Sequence, residues 1–186
     1  IPFIWLNEGL ITFLTNMSGQ NAIIVAFIVG AMMGSDLGVP INKAAMVTAM
    51  GIMESGVYAP NTAAMIAIVI PTLGYGIFSF IKGKQISEEF RNAGSASFVM
   101  GLVGVSEGAI PFTLANPKLL IPANMIGCGV GAALAVGLGA VNITTLSGCY
   151  GWLLVQNWPL YVLGIVVGSL IIAGAAILST KYFKEA

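Results

Sequence analysis

Three stretches of this chain carry no Asp, Glu, Lys or Arg: residues 9–35, 55–81 and 119–180. A helix of about 20 apolar residues is long enough to cross the hydrocarbon core of a bilayer. Each of the first two stretches holds one crossing, and the third holds two with a turn between them. Only 8% of the residues are charged, 58% are hydrophobic, and mean hydropathy is +0.96. A soluble domain carries about 25% charged residues. The apolar runs are continuous and far longer than the roughly 10-residue alternating strands of a membrane barrel. The class that follows is an all-α polytopic membrane protein. Clusters of small residues, as in Gly127-Cys-Gly-Val-Gly-Ala-Ala133, suit close helix packing in lipid.

Composition also removes several functions. A net charge of zero gives no footprint for nucleic acid. There is no histidine, and Cys128 and Cys149 have no metal-ligand spacing, so neither a metal nor another cofactor is expected. No residue stands out as catalytic. The chain starts at Ile1 rather than Met and shows no signal-peptide pattern. Residues 1–186 therefore read as a single membrane domain, a fragment or processed piece of a larger protein.

Two polar interruptions organise the apolar runs. Gly34-Ser-Asp-Leu-Gly-Val-Pro-Ile-Asn-Lys43 follows a first span, which starts near Gly9 or after Ser18-Gly19. Its Gly38 and Pro40 break a helix. Gly104-Val-Ser-Glu-Gly-Ala-Ile-Pro-Phe112 repeats the pattern with Gly108 and Pro111. Residues 61–81 form a full span with a kink expected at Pro71. Lys82, Lys84 and Arg91 mark one hydrophilic loop, 82–91, as cytoplasmic, and Lys181 and Lys184 mark the C-terminus likewise. Only an even number of crossings fits between them. Spans near 119–141 and 159–180 supply two, so 93–118 must enter and return on one side. The same logic makes 34–56 a second hairpin. The expectation is about four full transmembrane helices plus two re-entrant or broken-helix hairpins.

The hairpins also hold the intramembrane charges. A carboxylate at membrane depth costs about 2.5–3.5 kcal/mol on insertion scales, so Glu107 reads as a functional group. Non-helical backbone at that depth persists only where protein covers it or water reaches it, and transporters bind substrate at such places. Glu107, Asp36, Asn42, Lys43, Ser106 and Asn116 are the candidate substrate-binding residues. Met32, Ile110 and Phe112 are candidate apolar walls. Pro40 opens a helix and Lys43 falls in its first turn, opposing its dipole, so Lys43 either pairs with Asp36 or Glu107 or snorkels to the interface. A helix from Pro111 through Lys118 would present its positive end to Glu107.

Both broken segments, with Ser55-Gly-Val-Tyr-Ala-Pro60 and Ser87-Glu-Glu-Phe-Arg-Asn-Ala-Gly94 between them in order, resemble the fructose-type enzyme IIC of the bacterial sugar phosphotransferase system. The resemblance covers nearly all of residues 26–145. It implies inward movement of a hexose or hexose-like sugar across the bacterial inner membrane. A partner IIB domain then phosphorylates the sugar, so this chain would not carry the phosphoryl group. It also implies that Glu107 contacts sugar hydroxyls and that Asp36, Gly38, Pro40, Asn42 and Lys43 line the site. An N-terminal membrane half that builds a homodimer is implied to be missing, which leaves the C-terminal transport half. Where such proteins often carry Pro-His-Gly-Gly, this chain reads Thr145-Leu-Ser-Gly-Cys-Tyr-Gly151. Two other readings are an ion-coupled secondary transporter using the same carboxylates and a non-transporting scaffold whose charges only pair.

Overall fold

The computed structural model describes residues 21–38 and 40–184. It contains eight α-helices among those residues: α1 Ala22–Asp36, α2 Pro40–Met53, α3 Ala59–Lys82, α4 Glu88–Val103, α5 Ile110–Ala115, α6 Pro117–Gly137, α7 Cys149–Trp152 and α8 Trp158–Leu178. Short 3₁₀ turns occupy Glu107–Ala109 and Thr180–Phe183. One antiparallel bridge joins Val141 to Gln156.

Three of these helices, α3, α6 and α8, are long and apolar enough to cross a membrane, while α1 has 15 residues. The earlier part of the expected first span lies outside the described residues. The fold is the all-α polytopic membrane architecture that the charge-free runs predict.

Backbone contact through glycines holds the spans together. Gly127 and Gly131 of α6 face Gly168 and Gly164 of α8. A Cβ on Gly131 would lie 2.6 Å from the Gly164 carbonyl oxygen, and one on Gly164 would lie 2.5 Å from that of Gly131. Gly30 and Gly34 of α1 approach the carbonyls of Cys128 and Asn124 on α6 in the same way. This is small-xxx-small packing, in which van der Waals contact between backbones replaces the hydrophobic drive that lipid removes. Pro71 does not interrupt α3, which runs through 24 residues. The N–H missing at Pro71 leaves the Ala67 carbonyl without its helical donor, and the Cys128 thiol donates to it at 3.6 Å.

The same contacts fix direction. α1 and α6 are antiparallel, since Gly34 faces Asn124, Gly30 faces Cys128 and Gly137 faces Ile23. α1 therefore stops beside Asn124, short of the level at which α6 begins. The chain then reverses. Asn42 Nδ2 donates to the Met33 carbonyl at 2.8 Å, and α2 leads back to the start of α3 through five residues, 54–58. The second hairpin reverses too. Its turn places Gly108 against Ser97 and Met100 of α4. Phe112 then stacks on Tyr75 and reaches Phe90, near the beginning of α4, with centroids 5.5 Å apart.

Phe78, Phe90, Phe112 and Phe183 close that end of the bundle as one aromatic cluster. Ser87 N–H donates to the Phe183 carbonyl, and Asn116 donates to Ser179 Oγ. Lys82, Lys84, Arg91, Lys118, Lys181 and Lys184 thus share one end, leaving Lys43 as the remaining cation of the seven Lys and Arg. The two hairpins enter from opposite ends and meet at their tips.

Candidate functional site

The first tip is built from local rules. α1 ends with Leu37 in the left-handed region (φ 51°) and Gly38 at φ 114°. Only glycine adopts the latter without strain. Asp36 then accepts from the backbone N–H groups of Ile41 at 2.8 Å and Asn42 at 3.0 Å. These are donors that the first turn of α2 leaves open. Pro40 starts that helix, where its missing N–H costs nothing.

The second tip leans on a distant loop. Gly104 ends α4 at φ 91°. The terminal carbonyls of α4 are taken by residues more than forty positions away: Tyr150 Oη donates to Val103 at 2.9 Å, and Ser147 Oγ donates to Gly104 at 3.2 Å. Trp152 Nε1 in turn donates to the Ser147 carbonyl. Beyond this capped end lie Ser106, buried, and Glu107, exposed, with Ser106 Oγ 3.4 Å from Glu107 Oε2.

The two tips touch. A Cβ built on Gly38 would lie 3.1 Å from Glu107 Oε1. A cleft of about 410 Å³ opens beside that contact, within the usual size of small-molecule sites. Asn42 and Lys43 line it from the first hairpin, and Ser106 and Glu107 from the second. Thr145 and Ser147 add a third wall, while Met46, Ile68 and Val105 are its apolar part.

Four of the six candidate substrate residues are therefore brought together: Glu107, Asn42, Lys43 and Ser106. Asp36 stands next to the tip with its carboxylate turned to the α2 backbone, on a separate cavity of about 170 Å³ with Ile110 and Thr113. Asn116 is not in the cleft; it bonds Ser179 at the basic end. Among the described residues Lys43 forms no ion pair, and the pair that does form is Arg91–Glu88 at 3.5 Å on the surface. The expected counter-charges do not pair with Lys43: the Asp36 carboxylate accepts from the Ile41 and Asn42 N–H groups instead. The helix from Pro111 does not reach Lys118. It ends at Ala115, and α6 restarts at Pro117. Among the expected walls, Phe112 is fully buried in the aromatic cluster, and Met32 does not line the cleft. Thr145 and Ser147 are not among the candidates; they lie in the stretch that stands in place of Pro-His-Gly-Gly.

The arrangement offers a carboxylate that accepts, an ammonium that donates, an amide and hydroxyls that do either, and an apolar face. Such a set fits an uncharged, hydroxyl-rich ligand. Among the described residues no three His, Cys, Asp or Glu side chains cluster as a metal site.

No protein-family model matches the chain, and no solved structure does. It is 40% identical over 173 residues to the PTS system fructose-specific EIIB′BC component of Vibrio cholerae, covering 91% of this chain and 30% of that protein. It is 39% identical to the fructose-like permease IIC component of Shigella flexneri, over 91% of this chain and 42% of that one. To the PTS system fructose-specific EIIC component of Haloferax volcanii it is 35% identical, over 93% of this chain and 46% of the relative. The chain thus spans less than half the length of these curated relatives. Identity of 35–40% over more than nine-tenths of the chain shows that this multi-pass membrane protein belongs to the fructose-type IIC family of the phosphotransferase system.

Proposed function

We propose that this chain forms the sugar-carrying membrane part of a phosphotransferase permease. A hexose or hexose-like sugar binds in the cleft and moves inward across the bacterial inner membrane. A phosphorylated IIB domain or subunit on the cytoplasmic side then traps it as the sugar phosphate. The names of relatives that join B′, B and C parts in one component support such a partner. Phosphoryl transfer belongs to that partner, not to this chain.

In this reading the two broken segments are re-entrant hairpins. The basic end, with loop 82–91 and the C-terminal Lys181 and Lys184, faces the cytoplasm, in keeping with the excess of Lys and Arg on cytoplasmic loops. The cleft then opens near mid-depth between the tips. Residues 1–186 act as one transport domain, and the N-terminal half and homodimer implied by the resemblance belong to the same proposal. Glu107 accepts from two sugar hydroxyls, Lys43 and Asn42 donate, and Ser106 holds the Glu107 carboxylate. Met46 and Ile68 cover an apolar face of the ring. Asp36 keeps a place in the site by shaping the tip, and Asn116 has no sugar contact.

One observation carries the proposal: the Glu107 carboxylate meets Gly38 at the junction of two chain reversals and shares a cleft with Lys43. Glu107→Gln keeps the shape and removes the charge. It is expected to lower sugar binding at least tenfold, with membrane expression unchanged, as read by binding of radiolabelled fructose to membranes. Binding retained within twofold would remove Glu107 from the site.

A further inference from the structure

At the basic end, away from the cleft, a second polar cavity of about 450 Å³ lies between the last turn of α3 and the side of α4. Lys84 and Arg91 supply two cations to it, and Ser79 and Ser95 line it with their hydroxyls donating to the Phe90 and Arg91 carbonyls. Gly83 leaves the space open. A Cβ there would lie 2.8 Å from the Ser79 carbonyl oxygen and 3.5 Å from Arg91 Cδ. The carboxylate partner in reach is Glu88, 3.5 Å from Arg91, with both side chains more than half exposed. Water screens such a pair and leaves Arg91 available to another anion. Lys84 has no ion pair among the described residues. Lys82, in the last turn of α3, offsets the negative end of that helix.

The lip of the cavity has the opposite character. Phe80 and Ile81 line it and are each 59% exposed. They sit at the end of a span whose outer surface meets acyl chains. A ligand that fits both parts carries a phosphate inward and hydrocarbon outward.

We propose that this cavity binds the headgroup of an anionic phospholipid, with the phosphate between Lys84 and Arg91 and the acyl chains along Phe80 and Ile81. Basic pockets between helices at the cytoplasmic surface hold such headgroups. The proposal needs only that the chain lies in a bilayer, so it stands or falls apart from what the cleft carries.

The test is native mass spectrometry of the full chain in a neutral detergent, incubated with phosphatidylglycerol or phosphatidylcholine. Phosphatidylglycerol is expected to be retained in preference. The double variant Lys84→Gln/Arg91→Gln should weaken retention roughly fivefold for each charge removed, while Lys181→Gln, at the same end but outside the cavity, changes nothing. Ser95→Trp keeps both charges and fills the space, so it should also lose the lipid; it decides the matter if the double variant misfolds. Equal retention of phosphatidylcholine, equal loss in Lys181→Gln, or full retention in Ser95→Trp would each overturn the site. Displacement of the lipid by inorganic phosphate would show a free-anion site instead and overturn the lipid assignment.

Discussion

The two hairpins solve one problem in two ways. Each must end a helix inside the protein and reverse, leaving backbone groups without helical partners. The first solves it within ten residues: Asp36 caps α2, and Asn42 reaches back to the Met33 carbonyl. The second borrows its donors from Tyr150 and Ser147, on the connection between α6 and α8. The first tip is thus a local motif, and the second exists only once the remote 147–150 stretch has packed against it. Glu107 is on the second, so the position of the proposed ligand carboxylate depends on a loop remote in sequence.

The sharpest way to break this comparison is at two of the glycines with positive φ, one at each tip. A Cβ on Gly104 would meet the backbone nitrogen of Gly148 at 2.6 Å, whereas one on Gly38 meets the end of the Glu107 side chain at 3.1 Å. Gly104→Ala combines backbone strain with overpacking, and a loss on the order of 2–5 kcal/mol is expected. Gly38→Ala should cost on the order of 1–3 kcal/mol, because its neighbour can swing away. Thermal unfolding in detergent reads both, and a reversed order would mean that the second tip is the more adaptable. Gly38→Ala should nonetheless weaken sugar binding, since it displaces the Glu107 carboxylate.

Asp36→Ala comes next. It strips the cap from the Ile41 and Asn42 N–H groups, at a cost of about 1–2 kcal/mol. Asp36→Asn should recover most of the loss, since an amide oxygen still accepts. A loss of sugar binding in Asp36→Asn at full stability would instead place the charge itself in the site.

Tyr150→Phe removes one hydroxyl from Val103, an effect of about 0.5–1.5 kcal/mol. If the loop positions Glu107, sugar affinity should fall in this variant although Tyr150 does not line the cleft, and Ser147→Ala should couple to it in a double-mutant cycle. Additive losses would separate the two contacts. The smallest change in stability belongs to Lys43→Gln, within about 0.5 kcal/mol, because no ion pair is lost. Its sugar affinity is expected to drop, and unchanged affinity would leave Lys43 as an interfacial cation.

The candidate site was partly legible before the fold was known. Glu107, Ser106, Asn42 and Lys43 stand out because charge and amide groups amid Gly and Pro at membrane depth are costly to keep. Asp36 was legible as important and misread as to partner, since the nearest donors to its carboxylate are backbone N–H groups five and six residues on. Asn116 carries the same residue type as Asn42 and ends at the opposite level, against Ser179. Thr145 and Ser147 offered only a polar, turn-like stretch, with no spacing that ties them to residue 104.

From its residues alone, the chain determines that it is helical and membrane-embedded, where its spans run and where its helices must break. Those features rest on composition and on local backbone rules, which act within a few residues. The meeting of the two tips and the capping of α4 by Tyr150 and Ser147 were decided by the tertiary structure. Small-residue faces on α1, α6 and α8 set how closely and in which direction those helices pack, and with the Tyr150 and Ser147 contacts to α4 they bring Gly38 to Glu107.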